Sequence, residues 1–540
     1  MPLASVSTTP PRARATSPSV PALPRDGGPT YQRRDVERTT LYQVVRDHVE
    51  TFYAAVEEGF ASAPLPEFVK DEFEGYLDCG ILCRGAALLV CEECPATKVI
   101  ALSCKGRAFC PSCMGRRMAQ TAANVIDHVL PPDVPLRQWV LTFPFELRAR
   151  LGFDAKLLSE VCGVVNAALL DFYERSLRDR GVGEGDAAKR RRKLQSGTIT
   201  VVQRTSSDLR LNPHLHVVAL DGVFAEEPDG PPRFIQLPEL ASIDVAEALA
   251  TVRSRVVRLL TRRGVIENTG DNLELASDDA ADSDQVLAQL TAAAVSGQPP
   301  AGPERRERAP LRLAHTAGPS ITGPLCAADS GFSLHAATVA RRDDPVGKQA
   351  LIRYVLRPPL AQDRLALRDG GLVRITLKRP FNDGTFAIDL DPLSLLSRLA
   401  ASVPAPGFNT VRYGGVLAPA AHWRPLVIPT LPADVDAVAA NDDDASGAGK
   451  PPTRRSGWRP WAELLKRSFD IDLRCSRCGG PMKLKSFLTS PKSLRRLLTR
   501  LGEPTEVQGK APARGPPYFA SKVARRHLAH QSSQLGMFGG

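Results

Sequence analysis

The distribution of the cysteines is the feature of this sequence that most limits what the chain can fold into. Seven of the eleven cysteines lie between Cys79 and Cys113, and this stretch contains two Cys-x-x-Cys pairs. The pairs are Cys91 with Cys94 and Cys110 with Cys113, and fifteen residues separate them. Zinc takes four soft ligands in a tetrahedron, and each such turn directs two thiolates to one point. The spacing therefore predicts that these four cysteines bind one structural Zn²⁺.

The same stretch contains three further cysteines. Cys104 and Cys79 are candidate extra ligands, either of this zinc or of a second one. The alternative for both is a small buried apolar side chain, which is a common role for free cysteine. Cys83 is left without an assignment.

A third Cys-x-x-Cys pair, Cys475 with Cys478, lies near the end of the chain. Two thiolates are only half of a zinc site. His527 and His530 have a spacing that could complete it, and the alternative is a reduced turn that closes two strands.

Composition indicates a soluble chain of several domains. Its 540 residues are too many for one ordinary core, so two to four domains are expected. Hydrophobic residues make up 43% and charged residues 24% of the chain, as in globular proteins. No apolar run approaches the roughly 18 residues of a membrane span, and the proline-rich N-terminus lacks the apolar core of a signal peptide. We therefore expect a cytoplasmic protein with no membrane partner.

The charge of the chain favours a polyanionic partner. The formal net charge is +11 and the isoelectric point is about 9.2. Arg107, Arg116 and Arg117 lie around the cysteine pairs, where guanidinium groups suit contact with phosphate. The alternative for these three arginines is ordinary solvated charge.

A pair of histidines is the first candidate for chemistry. Residues 198–203 and 214–220 are typical of paired strands. Because side chains alternate along a strand, His214 and His216 should share one face and could bind a divalent cation. The alternative is that one histidine is a core residue and the other is exposed. Gln203 on the neighbouring strand and His335 are rival candidates for a third ligand.

A tyrosine near the end of a predicted helix is the second candidate. The helix covers residues 347–356 and is stopped by Pro358. Tyr354 is adjacent to Arg353, shares a helix face with Arg357, and is followed by Arg364 after the turn. A phenol attacks phosphorus at neutral pH only with help, which a metal cation and arginines can supply. The alternative is amphipathic packing of a tyrosine beside arginines.

Several independent motifs then occur in one order. They are residues 103–113 (SCKGRAFCPSC), 137–144 (RQWVLTFP), 212–216 (NPHLH), 221–224 (DGVF), 353–359 (RYVLRPP), 415–419 (GVLAP) and 475–480 (CSRCGG). This series resembles that of rolling-circle transposases of the insertion-sequence ninety-one type, which belong to the His-hydrophobic-His nuclease superfamily. The resemblance extends over about residues 35 to 505.

The resemblance implies that Tyr354 attacks single-stranded DNA, giving a 5′-phosphotyrosine and a free 3′-hydroxyl. It implies a catalytic Mg²⁺ or Mn²⁺ at His214 and His216, with DNA at the element ends and target as partner. Arg353, Arg357 and Arg364 would contact that DNA. The implied fold is α+β, a central antiparallel sheet with flanking helices, preceded by a helical and zinc-ribbon module.

One departure concerns the number of catalytic tyrosines. Some members of the family have two, one helical turn apart, but here Ala350 and Pro358 occupy the positions four residues from Tyr354. Tyr413 is a poor substitute because the glycines that follow it are typical of a turn. The sequence therefore favours one nucleophile per chain.

We divide the chain into six regions. They are a disordered basic segment (1–34), a helical and cysteine-rich zinc-binding domain (35–130), a catalytic domain (131–430) with a loose insertion at about 268–325, a linker (431–457), a small Cys-x-x-Cys unit (458–503) and a mobile tail (504–540). Two other functions remain open at this point: a zinc-containing DNA-binding protein without catalysis, and a replication initiator or relaxase with the same chemistry.

Overall fold

The structure is a computed structural model. It describes residues 35–59, 64–181, 193–268, 272–276, 285–297, 313–314, 318–381, 383–428 and 474–515. The predicted disordered segment, the predicted linker, and His527 and His530 lie outside these residues. Among the helices described, none combines the length and the apolar character that crossing a membrane requires.

Helices and strands are mixed along the chain. The helices are α1 (Thr40–Gly59), α2 (Glu67–Asp78), α3 (Pro111–His128), α4 (Leu147–Phe153), α5 (Ala155–Arg178), α6 (Ser242–Arg262), α7 (Gln285–Ser296), α8 (Pro345–Leu356), α9 (Pro392–Ser402), α10 (Arg424–Val427) and α11 (Pro491–Leu501). The strands are β1 (Ala86–Cys91), β2 (Thr97–Ala101), β3 (Leu136–Thr142), β4 (Leu194–Gln195), β5 (Gly197–Thr205), β6 (Leu211–Leu220), β7 (Gly222–Glu227), β8 (Gly230–Gln236), β9 (Ile266–Asn268), β10 (Asn272–Leu275), β11 (Leu313–Ala314), β12 (Ser320–Gly323), β13 (Cys326–Asp329), β14 (Phe332–Ala340), β15 (Leu365–Leu367), β16 (Val373–Thr376), β17 (Ala387–Leu390), β18 (Val411–Gly415) and β19 (Met482–Leu488).

The largest sheet has seven strands in the order β12-β13-β14-β3-β6-β5-β18, and every neighbouring pair is antiparallel. The predicted combination of helices with a central antiparallel sheet is therefore confirmed. Strand β6 lies between β3 and β5, so both of its edges are hydrogen-bonded. This position fixes its register more firmly than that of an edge strand.

Both faces of this sheet are covered. Leu215, Val217 and Ala219 of β6 lie in a core with residues of α5 and α6. On the opposite face, Val218 and Leu220 pack in a second core with residues of α3 and α8. The sheet is thus the middle layer of three, and the alternation along β6 decides which side chains meet which helices.

A buried ion pair fastens the sheet to α5. Arg137 of β3 forms a bidentate pair with Asp221, with Nε–Oδ1 2.8 Å and Nη2–Oδ2 2.9 Å, and its Nη1 donates to the Ala336 carbonyl. Tyr173 of α5 donates to Asp221 and accepts from the Trp139 indole. The bidentate pair leaves neither charged group without a partner, and the network joins β3, β14, α5 and the turn between β6 and β7.

The structure differs from the predicted division of the chain at the insertion. Helix α7 lies inside the predicted loose insertion, yet Leu290 and Ala294 are completely buried, and α7 packs on α4 and α9. These side chains share a core with α1 and α2, so the N-terminal helices and the central domain are continuous. The acidic and proline-rich residues around α7 hide its apolar spacing when composition alone is considered.

The C-terminal unit also differs from the prediction. Strand β19 is not separate, because it pairs with β1 and completes a three-stranded sheet in the order β19-β1-β2. The described part of the predicted mobile tail, residues 504–515, lies along α1. There Ala511 N donates to the Arg46 carbonyl and Lys510 pairs with Glu50 and Glu74.

We expect Asp221→Ala to lower the free energy of unfolding by about 3–5 kcal/mol, because it leaves the Arg137 guanidinium buried without its charge partner. Asp229→Ala, in the exposed turn between β7 and β8, is the matched control and should change it by less than about 0.5 kcal/mol. Chemical denaturation measures both. Equal effects of the two substitutions would contradict the assigned role of the ion pair.

Candidate active site and metal centres

The two histidines lie side by side on the central strand. His214 and His216 occupy the same face of β6, and their ring centroids are 5.0 Å apart. His216 is buried and His214 is partly buried. Their cross-strand partners on β3 are Thr142 and Val140. The alternation of side chains predicted this arrangement, in which both imidazoles lie on the face of β6 that is turned to α8.

Hydrogen bonds leave the same nitrogen of each ring facing that space. His214 Nδ1 donates to the Asn212 carbonyl at 2.7 Å. His216 Nδ1 lies 2.6 Å from Nε2 of Gln138 on β3. Turning this amide by 180° would bring its oxygen to Nδ1, so that Nδ1 would carry the proton and Nε2 would present its lone pair. His216 Nε2 is buried and has no hydrogen-bond partner among the described residues. Two imidazoles held in this way suit a divalent metal ion.

The surroundings keep both rings neutral. Burial is the main cause that lowers the pKa of His214, and the positive charges of Arg357 and Arg148 add to it, against the Asn212 hydrogen bond. Burial, then His214 and Arg357, lowers the pKa of His216 to about 3. The neutral imidazole is the form that binds metal ions.

Helix α8 brings the tyrosine beside this pair. The ring of Tyr354 is 6.1 Å from that of His216, at an interplanar angle of 83°. Leu351, Ile352 and Val355 form the buried face of α8, whereas Tyr354 is 44% exposed. The guanidinium of Arg357 lies 4.1 Å from the centroid of the Tyr354 ring. The phenol therefore has a neighbouring cation and access for a large substrate.

The two candidates for a third metal ligand, Gln203 and His335, lie at different distances from the histidine pair. Gln203 is directly opposite His214 in the pairing of β5 with β6, and its Nε2 donates to the Val355 carbonyl at 2.8 Å. That bond leaves the amide oxygen as the atom that could bind a metal. His335 pairs with Val140, which in turn pairs with His216, so it lies two strands away, at about 10 Å. The geometry favours Gln203.

Positive charge is concentrated around Tyr354. Burial and the charges of Arg357 and Arg364 lower the pKa of Lys378 to about 8. Arg148 also lies close enough to His214 to affect its pKa. Such mutual repulsion between cations indicates a surface built for a polyanion. Arg148 and Lys378 were missed by the sequence analysis, and no local spacing signals them.

The predicted DNA-contacting arginines separate into two groups. Arg353 is partly buried in α8, and Arg364 donates to the carbonyls of Thr376 and Ser207. The other three lie near the start of α3, where Arg107 donates to Phe408, Arg116 to Ser103 and Arg117 to Lys105. Arg107 and Arg117 line a polar cavity of about 650 Å³ between α3 and β18. This second group does not lie at Tyr354.

Four cysteines converge at the base of the β1–β2 hairpin. They are Cys79, Cys104, Cys110 and Cys113, and their sulfur atoms all lie within 4.8 Å of one another. Sγ–Sγ separations are 3.6 Å for Cys79–Cys113 and 3.4 Å for Cys104–Cys113. Four thiolates around one zinc should be about 3.8 Å apart. The group is set in the apolar core of α1 and α2.

The two N-terminal Cys-x-x-Cys pairs do not share a site. Cys91 and Cys94 lie at the tip of the hairpin, close to Cys475 and Cys478, whereas Cys110 and Cys113 lie at its base. A hairpin strand of five residues is about 17 Å long, which is too far for one ion to span. The prediction that Cys91, Cys94, Cys110 and Cys113 bind one zinc is therefore wrong. The spacing of the cysteines does not show that a β-hairpin separates the two pairs.

Two family models match this chain. One, described as "Transposase zinc-binding domain", matches residues 44–143, and one, described as "Putative transposase", matches residues 197–424. The chain belongs to the transposases of the insertion-sequence ninety-one type. No curated protein and no solved structure matches it.

The family assignment has two direct consequences. DNA is the partner of this transposase. Its zinc-binding match, together with the clustered thiols, identifies Zn²⁺ as a structural cofactor. The zinc-binding match contains the cysteines at the base of the hairpin, and the second match contains His214, His216 and Tyr354.

We expect Cys110→Ser to reduce the zinc content of the transposase and to destabilise it by about 4 kcal/mol or more, since loss of a structural metal is among the largest single-residue effects. Cys326→Ser, a partly buried cysteine outside the clusters, is the control and should leave both properties unchanged. Elemental analysis and thermal unfolding measure the two effects. Full zinc content in Cys110→Ser would exclude this thiol as a ligand.

Proposed function

We propose that this transposase cuts one strand of DNA by attack of the Tyr354 hydroxyl on a phosphate positioned next to His214 and His216. The observation that carries this proposal is the 6.1 Å separation between the Tyr354 and His216 rings. The nucleophile and the two candidate metal ligands come from elements distant in sequence, α8 and β6. A simple packing role for Tyr354 fits poorly with the exposure of its side chain next to the buried His216 ring.

The reaction has a defined balance of bonds. The Tyr354 Oη–phosphorus bond forms as the bond from phosphorus to the 3′ oxygen breaks. The phenol proton passes to water, to which the 44% exposed Tyr354 has access, and the 3′ oxygen takes up a proton from water and leaves as a hydroxyl. The 5′ end remains attached as a phosphotyrosine, and a later attack by a 3′-hydroxyl on that link joins the strands and restores the phenol. These two steps are a nick and a strand transfer of the rolling-circle type.

Different residues of the site would bind the metal, orient the imidazoles and supply positive charge. His214, His216 and the Gln203 oxygen would hold Mg²⁺ or Mn²⁺, which when bound withdraws charge from the scissile phosphate. Gln138 and the Asn212 carbonyl orient the two imidazoles. Because its guanidinium lies over the Tyr354 ring, Arg357 would hold the ring in place and offer positive charge to the scissile phosphate. Arg364 and Lys378 add positive charge for the DNA backbone.

The sheet arrangement supports the more specific fold assignment. A His-hydrophobic-His pair on a central antiparallel strand, faced by a tyrosine helix, is the arrangement expected of that nuclease superfamily. Single-stranded DNA is the substrate we favour, because attack requires a backbone phosphate to enter between α8 and the sheet.

One tyrosine per chain performs the attack in this proposal. Among the described tyrosines, Tyr354 alone contacts the histidine pair. Tyr413 pairs with Ile199, which pairs with Val218, so it lies two strands from β6. Its hydroxyl interacts with Asn124 of α3 instead.

We expect Tyr354→Phe to abolish the covalent adduct with single-stranded oligonucleotides that carry an element end, while DNA binding is retained. Tyr413→Phe is the matched control and should form the adduct at the normal rate. Denaturing electrophoresis with Mg²⁺, Mn²⁺ or a chelator measures adduct formation. An undiminished adduct in Tyr354→Phe, or an adduct lost only in Tyr413→Phe, would reject the proposed nucleophile.

Gln138 offers a test of the metal site that does not depend on cleavage. We expect Gln138→Leu to weaken Mn²⁺ binding by about 10–100-fold because the His216 ring loses the partner that orients it. Gln138→Glu keeps an acceptor oxygen and should retain the affinity. Titration calorimetry distinguishes them, and equal affinity in Gln138→Leu and the unaltered chain would contradict the proposed orientation.

A further inference from the structure

A second group of four thiols lies at the tip of the β1–β2 hairpin. It brings Cys91 and Cys94 together with Cys475 and Cys478, with all four sulfur atoms within 4.8 Å of one another. The Sγ–Sγ distance is 3.4 Å for Cys91–Cys478 and 3.5 Å for Cys94–Cys475. The zinc-binding family match ends at residue 143 and assigns nothing to the C-terminal pair.

Each pair has the local geometry of a metal-binding turn. The backbone N–H of Glu93 donates to Cys91 Sγ, and that of Arg477 donates to Cys475 Sγ, both at 3.4 Å. Gly480 N donates to Cys478 Sγ in the same way. N–H donors favour the thiolate, which is the form that binds metal. Four thiolates crowded together without a cation would repel one another, so this arrangement calls for a positive ion.

The turn after Cys478 is shaped to fit the N-terminal pair. Gly479 has a φ of +75°, a conformation that other residues adopt only under strain. A side chain at Gly480 would place its Cβ 2.5 Å from a carboxylate oxygen of Glu93. Glu93 is exposed and its side chain can move aside, so the positive φ of Gly479 is the firmer requirement of this turn.

The contacts continue beyond the four thiols. Strand β19 pairs with β1 from Met482 opposite Cys91 to Leu488 opposite Ala86. Glu92 N donates to the Pro481 carbonyl at 3.2 Å. Helix α11 then buries Leu494 and Leu498 in a small core with Leu82 and Ala86 of the N-terminal module. The C-terminal segment is thus built into this module and does not merely touch it.

We propose that these four cysteines bind a second Zn²⁺, and that this ion is a clasp that fastens residues 474–501 to the N-terminal module. The ligand set is four thiolates, two from each end of the chain. Cys94 and Cys475 are 381 residues apart, so the clasp closes a loop that contains the whole nuclease sheet. A metal link of this kind lowers the conformational entropy of the unfolded chain, and this loss of entropy increases with the length of the loop.

The clasp is more accessible than the zinc site at the base of the hairpin. Cys478 is exposed and Cys94 is partly buried, whereas Cys79, Cys110 and Cys113 are all buried. A chelator should therefore remove the ion of the clasp first. This order distinguishes the two sites in the unaltered protein.

Zinc analysis of the full chain tests the assignment. We expect two zinc ions per chain in the unaltered transposase and one in the double variant Cys475→Ser/Cys478→Ser. The control Cys326→Ser should retain two. One zinc in the unaltered chain, or two in the double variant, would overturn the proposal.

Hydrogen exchange tests the clasp without any substitution. After brief treatment of the full chain with a chelator that removes one zinc, amides of residues 482–488 should lose protection while those of residues 214–220 keep it. The opposite order, or unchanged protection of residues 482–488 after zinc loss, would overturn the clasp. This readout is independent of DNA cleavage, so failure of the proposed function would leave it unaffected.

Discussion

The alternation of side chains along β6 is the constraint on which the proposed active site depends. Leu215 and Val217 are completely buried under α5 and α6, which directs His214 and His216 to the other face. A shift of one residue in the pairing with β3 and β5 would exchange the two sets of side chains. The free energy of burying the apolar set therefore also fixes the position of the two imidazoles. The register of β6 with β3 and β5 thus determines both the packing of the core and the position of the two histidines.

The zinc-binding module is also connected to the helix that holds Tyr354, the proposed nucleophile. Helix α3 starts directly after Cys110, with Pro111 in its first turn, and it packs against α8. A bond from Gln203 to the Val355 carbonyl joins the other side of α8 to β5. Tyr354 thus depends on two supports, one from the histidine sheet and one from a helix anchored at a cysteine cluster. In the proposed mechanism, packed side chains therefore connect the zinc-binding module to the helix that holds Tyr354.

Local patterns predicted the parts of the fold that depend on neighbouring residues. Period-two alternation predicted the strand with His214 and His216, and Pro358 marked the end of the tyrosine helix. Pairings between distant segments were not predictable in this way, because no spacing connects Cys94 to Cys475 or places Gln138 beside His216. Helix α7 was missed since the surrounding composition is acidic and proline-rich. The sequence therefore indicated the candidate site residues on β6 and α8, but not the residues that contact them from other elements.

The position of the proposed catalytic metal ion is the most direct test of this account. A crystal structure of the full transposase with Mn²⁺ would locate the ion by its anomalous scattering. We expect an ion within coordination distance of Nε2 of both His214 and His216, on the side of the sheet that Tyr354 occupies. An ion bound elsewhere with both Nε2 atoms free, or a Tyr354 hydroxyl directed away from the ion, would contradict it.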